Sequence, residues 1–266
     1  MNSFAKENKM KFDDFDKKMR IYEESIDRSI LPEIYIVTRL DGRSFTRLTK
    51  EVCQFEAPFD TRFRDLMVDT TKYLMEKSGF RIIYGYTQSD EISLLFAPDE
   101  NTFNRKVRKI NTTLAGEASA YFSMSLGRLA TLDCRVVPLP NEEKVADYFK
   151  WRQEDAHRNA LNSWCYWTLR KEGKTVSAAS RELENKSVSY KNELLFERGI
   201  NFNDLPKWQK RGVGICQKEV DREGFNPLTK ETVVTKRKQL DVNYELEIGD
   251  KYDDFIRNIL FECSRK

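Results

Sequence analysis

Two strand-like runs separated by only three residues restrict the fold of this chain more than any other feature. The runs are FRIIYGYT (80–87) and EISLLF (91–96), and both are rich in β-branched and aromatic residues. With Gln88–Asp90 between them, the pattern predicts an antiparallel hairpin. Two adjacent carboxylates, Asp90 and Glu91, therefore lie at its turn.

The segments around this hairpin complete a recognised order of secondary-structure elements. Apolar and polar residues alternate over 34–42, as in a half-buried strand, and two later segments show the spacing of amphipathic helices. The predicted elements are a strand over 34–42, a helix over 58–79, the hairpin, a helix ending near Gly127 and a strand over 132–139. Their order, β-α-β-β-α-β, is that of ferredoxin-like folds. We therefore expect an α+β protein.

The chain divides near residue 140 into two regions of different pattern. Residues 1–140 contain the expected βαββαβ sheet, preceded by an amphipathic helix that extends to about Arg28. Residues 141–266 show mainly helical spacing, interrupted by a long glycine-containing stretch over 212–227. We expect a mostly helical C-terminal extension that packs against the sheet, so that the two regions form one domain.

Composition excludes several classes of protein. Lys plus Arg (46) nearly balance Asp plus Glu (43), so bulk charge neither indicates nor excludes a nucleic-acid partner. The five cysteines are scattered without a CxxC pair, which is typical of reduced thiols. His157 is the only histidine, so a site with two histidine ligands is impossible. No apolar run approaches the length of a membrane span, and we expect a cytoplasmic protein.

Asp41 and Asp90 are the centre of a candidate site. Asp41 closes the first predicted strand and Asp90 precedes the third, and these strands are central neighbours in a βαββαβ sheet. Two carboxylates about 4 Å apart repel by roughly 4 kcal/mol at an effective dielectric near 20, so a cation is expected between them. Because neighbouring strand residues alternate in direction, the side chain of Glu91 should point to the face away from Asp90 and act as an accessory acid. The alternative is that these acids are ordinary solvated turn residues.

The oxygen donors near the two strand ends suit Mg²⁺. Asp41, the Gly42 carbonyl and Asp90 are the candidate ligands of two Mg²⁺ ions, with Glu91 as a further catalytic acid. Paired metals of this kind serve phosphoryl or nucleotidyl transfer, in which they hold an attacking hydroxyl and a triphosphate in line. The chemistry predicted from these residues is therefore nucleotide transfer.

Basic and backbone groups near these acids are candidates for binding the triphosphate. They are the side chains of Arg39, Arg43 and Ser89 and the backbone N–H groups of Gly42, Ser44 and Phe45. On the second predicted helix, Arg105, Arg108 and Lys109 recur at helical spacing and form a basic stripe that suits another phosphate. A solvated helix face explains this stripe equally well.

The C-terminal half contains a mixture of basic and aromatic residues. Its members are Lys191, Lys207, Lys210, Arg211, Tyr190, Phe202 and Trp208. Such a mixture suits RNA backbone and exposed bases, although ordinary protein surfaces contain it too. His157 lies in the same half, and a lone histidine is more often a packed or surface residue than a functional one.

Several segments together resemble one family, the tRNA-His guanylyltransferases. In order, the segments are RLDGRSFTRL (39–48), FDTRFRDLM (59–67), YGYTQSDEISLLF (84–96), YFKWRQEDAHRNALN (148–162), KNELLFERGINFN (191–203), WQKRGVG (208–214) and GFNPLT (224–229). The combination of LDGR with QSDE is highly specific. The resemblance covers the chain from about residue 30 to its end.

The resemblance implies a palm-like catalytic region over residues 1–140 that adds nucleotides to the 5′ end of tRNA in the 3′-to-5′ direction. The 3′-hydroxyl of the incoming nucleotide attacks, and ATP first activates a 5′-monophosphate. Positions matching the Mg²⁺ ligands are Asp41, Gly42 and Asp90, and positions matching the activation step are His157, Lys191 and Asn192. GTP and ATP as substrates and a homotetramer are implied as well.

Two departures from the family pattern bear on the substrate. Members that add an extra guanosine to histidine tRNA have HINNLYN where this chain has HRNALNS (157–163). The lysine before the proline of their KPND-like stretch is replaced by Ala57. Both differences favour the guanylyltransferase-like branch, whose members repair 5′-truncated tRNAs on a template. We therefore predict template-dependent tRNA repair, with guanosine addition to histidine tRNA as the alternative.

Two other classes share parts of this pattern. A non-catalytic RNA-binding module of the RRM type has the same β-α-β-β-α-β order, but YGYTQSDEI does not match its aromatic RNP1 run. A nucleotide cyclase can use the same palm. Incorporation of labelled GTP into tRNA, formation of a cyclic product, or absence of turnover distinguishes the three.

Overall fold

The computed structural model describes residues 2–226 and 231–264. Its strands are β1 (Tyr35–Gly42), β2 (Ile82–Gln88), β3 (Glu91–Phe96), β4 (Leu132–Leu139), β5 (Val213–Asn226) and β6 (Glu231–Asn243). Its helices are α1 (Asn2–Glu24), α2 (Phe45–Arg47, continued by the π-helical segment Leu48–Val52), α3 (Thr61–Lys77), α4 (Val107–Leu126), α5 (Glu142–Lys171), α6 (Val176–Leu183), α7 (Val188–Phe196), α8 (Lys207–Arg211) and α9 (Asp250–Ser264).

The strands form one antiparallel sheet in the order β4-β1-β3-β2-β5-β6. The first four strands have the arrangement expected of βαββαβ, so the predicted α+β, ferredoxin-type class is confirmed. In the β1–β3 ladder Asp41 lies opposite Glu91, and the β2–β3 hairpin closes through Ser89 and Asp90. The end of β1 and the hairpin turn therefore lie side by side.

The C-terminal region is less helical than its sequence pattern indicates. Helices α5 to α9 agree with the mainly helical spacing of this region, whereas the glycine-containing stretch forms β5, whose long hairpin with β6 was not predicted. Only Val213–Cys216 of β5 pair with β2, and beyond them the two strands pair with each other. Part of the GFNPLT segment, residues 227–229, lies outside the described residues.

The central part of the sheet is covered on both faces. On one face α3 and α4 pack over a core that includes Leu40 and Leu94, and on the other α5 and α9 pack over a core that includes Val37 and Leu95. Successive strand residues alternate between the two faces, which is why neighbours in sequence belong to different cores. The same alternation places Asp41 on the α5 face, together with Val37.

Local sequence accounts for the ends of the helices that border the site. Asp60 accepts a hydrogen bond from the Arg62 N–H at 2.8 Å and caps α3, and Gly127, with φ of 72°, ends α4. Helix α1 ends at Glu24, before the predicted end. The large apolar side chains of its described part are exposed and take no part in the core: Phe12, Phe15, Met19, Ile21 and Tyr22.

The cysteines are free thiols, in agreement with their scattered spacing. In the described part of the chain, no helix combines the length and the apolar character that crossing a membrane requires.

Candidate active site

The end of β1 and the β2–β3 turn are joined directly by a hydrogen bond. The Gly42 N–H donates to the Asp90 carbonyl at 3.0 Å. Ser89 adopts a left-handed conformation with φ of 53°, which lets two residues reverse the chain immediately before Glu91. The structure thus brings the two acidic segments together at one end of the sheet.

The ring of Phe45 explains why residue 42 is a glycine. An added Cβ on Gly42 would lie 2.4 Å from a ring atom of Phe45, which is closer than unbonded carbon atoms approach. Phe45 is buried and begins α2, directly after Ser44, whose φ is 60°. The N–H of the exposed Arg43 donates to the Thr131 carbonyl at 2.9 Å. Glycine therefore allows the aromatic ring to pack over the strand end and to fix the turn that carries Arg43 and Ser44.

One guanidinium nitrogen of Arg39 contacts two carboxylates. It lies 2.8 Å from Asp41 Oδ1, and it also contacts Glu91 Oε1. Residues directly opposite each other in an antiparallel ladder project from the same face, so Asp41 and Glu91 are neighbours on the α5 face. The prediction that Glu91 lies on the face away from Asp41 is therefore wrong. It treated Asp90 as the residue opposite Asp41, whereas Asp90 belongs to the turn.

Two further arginines, which the sequence analysis missed, complete this charge cluster. Arg135 of β4 donates to Asp41 Oδ2 at 2.7 Å, and Arg152 of α5 lies 3.1 Å from Glu91 Oε2. The Arg152 side chain is only 4% exposed, so its charge is committed to the carboxylates around it. Arg135 lies opposite Arg39 in the β1–β4 ladder, and strand register is the signal that would have identified it.

Asp90 is less well neutralised by basic side chains than its neighbours Asp41 and Glu91. In the described part of the chain no lysine or arginine forms a salt bridge with it, whereas Asp41 and Glu91 are each held by two arginines. Burial raises the pKa of the Asp90 carboxyl group, and the nearby charge of Asp41 raises it further. A half-buried acid without a salt-bridge partner, close to a second acid, is stabilised by a bound cation.

The donor atoms at this end of the sheet fit Mg²⁺. They are the carboxylate oxygens of Asp41 and Asp90 and the carbonyl oxygen of Gly42, all of them hard ligands. Within the described residues, no three His, Cys, Asp or Glu side chains surround a common metal position. Water and phosphate oxygens would therefore complete the coordination, as is usual for Mg²⁺ in nucleotide sites.

A cavity of about 730 Å³ opens beside Asp90. Its walls include aromatic and basic side chains, among them Phe59, Phe63, Trp167, Trp208, Lys50 and Arg64. Of the predicted site residues, Phe45, Ser89 and Asp90 line it. Its volume lies in the range of small-molecule sites, and its lining combines apolar faces with a few charged groups, as such sites do. Lys50 and Trp167 were not predicted, since neither belongs to a recognisable motif.

The basic stripe predicted on the second helix lies at the far end of the sheet. Arg105 precedes α4, is buried, and donates to the carbonyl of Ile34, at the opposite end of β1 from Asp41. Lys109 lies over the ring of Phe103, 5.7 Å from its centroid. Within one chain, therefore, the structure does not bring Arg105 and Lys109 to the acidic site. Helical spacing predicted that these basic residues share one face of a helix. It does not show at which end of the sheet that helix begins.

The residues matched to the activation step lie on α5 and α7 and do not line the cavity. The ring of His157 packs edge-on against Phe202 at 5.3 Å, and burial together with two nearby basic side chains lowers its pKa. The Asn192 amide donates to the backbone of its own helix at 3.0 Å, and the neighbouring Lys191 is partly buried. The structure thus places these three residues outside the lining of the cavity to which Asp90 contributes.

Two family models match successive parts of the chain. The model described as "Thg1: tRNAHis guanylyltransferase" matches residues 16–146, and "Thg1 C terminal domain" matches residues 143–257. The chain belongs to the Thg1 family. A probable tRNA(His) guanylyltransferase of Drosophila melanogaster is 35% identical over 73% of this chain and 71% of the relative. The tRNA(His) guanylyltransferase of Debaryomyces hansenii is 34% identical over 84% of this chain and 90% of the relative.

Solved structures of Thg1 proteins have the same fold. A bacterial tRNA(His) guanylyltransferase (Thg1)-like protein in complex with GTP superimposes with a TM-score of 0.70 at 27% identity, over 93% of this chain and 99% of that one. The corresponding complex with ATP has a TM-score of 0.72 at 27% identity, over 92% and 98%. As a member of the Thg1 family, the chain is a tRNA 5′-end nucleotidyltransferase, which is the enzyme class that the resemblance of its motifs implied.

Proposed function

We propose that this Thg1-family enzyme adds nucleotides to the 5′ end of truncated tRNA, directed by the opposing template strand. The observation that carries this proposal is the convergence of the LDGR and SDE segments at one end of β1 and β3, beside a cavity of about 730 Å³. Similar bacterial proteins were solved with GTP and with ATP, and we assign both nucleotides to this chain as substrates.

Two Mg²⁺ ions are the cofactors of the proposed reaction, held by Asp41, Asp90 and the Gly42 carbonyl. Bound there, Mg²⁺ would activate the 3′-hydroxyl of the incoming nucleotide and neutralise charge on the phosphates. Arg39 and Arg135 each donate to one oxygen of Asp41 and fix the orientation of its carboxylate. Glu91 is held beside it by Arg39 and takes the role of the adjacent acid.

The cavity supplies the parts of the site that bind the nucleotide. Its aromatic walls offer flat apolar surface to a base, and its basic side chains offer charge to the phosphates. Enclosure of the reacting groups excludes water and strengthens their electrostatic interactions. A cavity that can bind both the base and the phosphates of a nucleotide supports nucleotidyl transfer in preference to RNA binding without catalysis.

The choice of tRNA repair rests on the segment HRNALNS and on Ala57, which depart from the pattern of members that act on histidine tRNA. The bacterial Thg1-like proteins share the fold over more than nine-tenths of this chain, at 27% identity. Relatives named tRNA(His) guanylyltransferase are also similar at 34% identity, so addition of an extra guanosine to histidine tRNA is the second candidate.

A competition between two RNAs tests the assignment. One RNA is a tRNA that lacks its 5′-terminal nucleotide, and the other is a complete histidine tRNA that offers adenosine opposite the position to be filled. We expect labelled GTP to enter the truncated tRNA with the higher kcat/KM when the template base is cytosine. A truncated tRNA with a mismatched template base serves as the control for template dependence.

The outcomes separate the alternatives. A preference for the complete histidine tRNA would reverse the branch assignment and support the second candidate. A cyclic nucleotide product would assign the chain to cyclase chemistry. RNA binding without any turnover of GTP would contradict the proposed enzyme altogether.

A further inference from the structure

Lys50 places its ammonium group in the wall of the nucleotide-sized cavity. It lies on the π-helical segment that continues α2 and lines the cavity together with Pro58 and Trp167. Its Nζ donates to the carbonyl of Glu56 at 2.9 Å and lies 3.5 Å from the carbonyl of Pro58. Two of its three donors are therefore directed to the backbone, and the third is left for another acceptor.

No carboxylate neutralises this ammonium group. Among the described residues none forms a salt bridge with Lys50, and the acid that influences it, Asp60, is held by Arg62 at 2.6 Å. The ammonium group lies 5.6 Å from the centre of the Trp167 ring, and burial lowers the pKa of Lys50. A half-buried cation with a spare donor, facing an open cavity, is suited to an anionic ligand.

Lys50 lies beside the loop that contains Ala57. Glu56 and Pro58, whose carbonyls it contacts, are the neighbours of Ala57, where the related pattern has a lysine and this chain has none. Lys50 precedes Ala57 by seven positions, and its ammonium group places a positive charge beside this loop.

We propose that Lys50 is a nucleotide-binding residue that donates to a phosphate group of the nucleoside triphosphate in this cavity. The proposal rests on the proposed function, because it takes GTP and ATP as the occupants. It adds a contact from a segment outside the LDGR and SDE motifs, and it predicts that the interaction is with phosphate rather than with base.

Isothermal titration of GTP and of guanosine into the purified chain tests this. We expect Lys50→Met to weaken GTP binding by about tenfold to a hundredfold, the range of a charge-assisted hydrogen bond, while guanosine binding stays within about twofold. Lys50→Arg should retain most of the affinity for GTP, since it keeps the charge. Lys72→Met, on the outer face of α3, is the matched control and should bind both ligands as wild type does.

Each other result has a distinct meaning. Unchanged GTP affinity in Lys50→Met, or equal losses for GTP and guanosine, would overturn the phosphate contact and leave the proposed reaction intact. If wild type adds nucleotides normally and only KM for GTP rises in Lys50→Met, with kcat retained, the contact is supported. Failure of wild type to bind GTP at all would overturn both this inference and the proposed function.

Discussion

Asp41 and Glu91 lie directly opposite each other on β1 and β3, and a single nitrogen of Arg39 contacts both carboxylates. Like charges in this cross-strand relationship repel, and the guanidinium group between them offsets that repulsion. Arg39 is 19% exposed, and its position on the same strand as Asp41 makes it part of the rigid sheet. The two acids are thus held ready on a fixed scaffold.

Arg39→Lys should lower kcat/KM for nucleotide addition by about tenfold or more. A lysine keeps the charge, but its single flexible ammonium group cannot orient two carboxylates in a fixed geometry as a planar guanidinium does. Steady-state incorporation of labelled GTP measures the effect, and Arg47→Lys, at a side chain 76% exposed, is the control. Activity equal to wild type in Arg39→Lys would show that the bridge does not serve the reaction.

Asp41→Asn and Asp90→Asn should each reduce nucleotide addition by at least about a hundredfold, because each removes a negative carboxylate that is proposed to bind Mg²⁺. Asp90→Asn should also melt no lower than wild type without Mg²⁺, since burial and the nearby Asp41 charge disfavour the ionised Asp90 carboxylate. Added Mg²⁺ should raise the Tm of wild type but not that of Asp90→Asn. Asp69→Asn, at an exposed position on α3, is the control for both measurements. A normal response of Asp90→Asn to Mg²⁺ would argue against Asp90 as a ligand.

Gly42→Ala should lower the free energy of unfolding by about 1–3 kcal/mol, because the new methyl group would overlap the ring of Phe45. Gly116→Ala provides the opposite case. Gly116 lies within α4 with nothing within 4 Å of its added Cβ, so alanine there should stabilise by about 0.5–1 kcal/mol. Urea denaturation of the two variants measures both effects, and destabilisation of equal size at the two sites would refute the steric explanation.

Asp60 should contribute a pH-dependent part of the stability. Hydrogen bonds from Arg62 lower its pKa from 3.8 to about 2 in the folded chain. Because the folded pKa is depressed, the contribution is complete above about pH 5 and is lost as the pH falls toward 2. Asp60→Asn retains a capping side chain but loses the charge, and should cost about 1 kcal/mol near neutral pH. Urea titrations from pH 6 to pH 3 should show this difference shrinking, and a difference independent of pH would exclude the Asp60 charge as its source.

Strand alternation and turn residues were sufficient to predict the βαββαβ order, because each element there depends on its own local sequence. The face of Glu91 was not predictable in the same way. It depends on which residue of β3 lies opposite Asp41, and a turn of two residues rather than three changes that register.

The sequence also did not predict at which end of the sheet each basic residue lies. Arg105 and Lys109 have the spacing of a helix face, but the end of the sheet at which α4 begins depends on how the whole chain folds. Arg135 and Arg152 were missed for the complementary reason. Each approaches the site from a separate element, and only tertiary packing brings them to it.

The β5–β6 hairpin is anchored to the rest of the sheet at one end only, through Val213–Cys216. From Gln217 to Asn226 its backbone hydrogen bonds within the sheet are made to β6 alone. Such a ribbon can open from its free end without disturbing the core, because each pair broken there exposes no other strand. Hydrogen exchange along β5 would consequently be slow beside β2 and progressively faster toward Asn226.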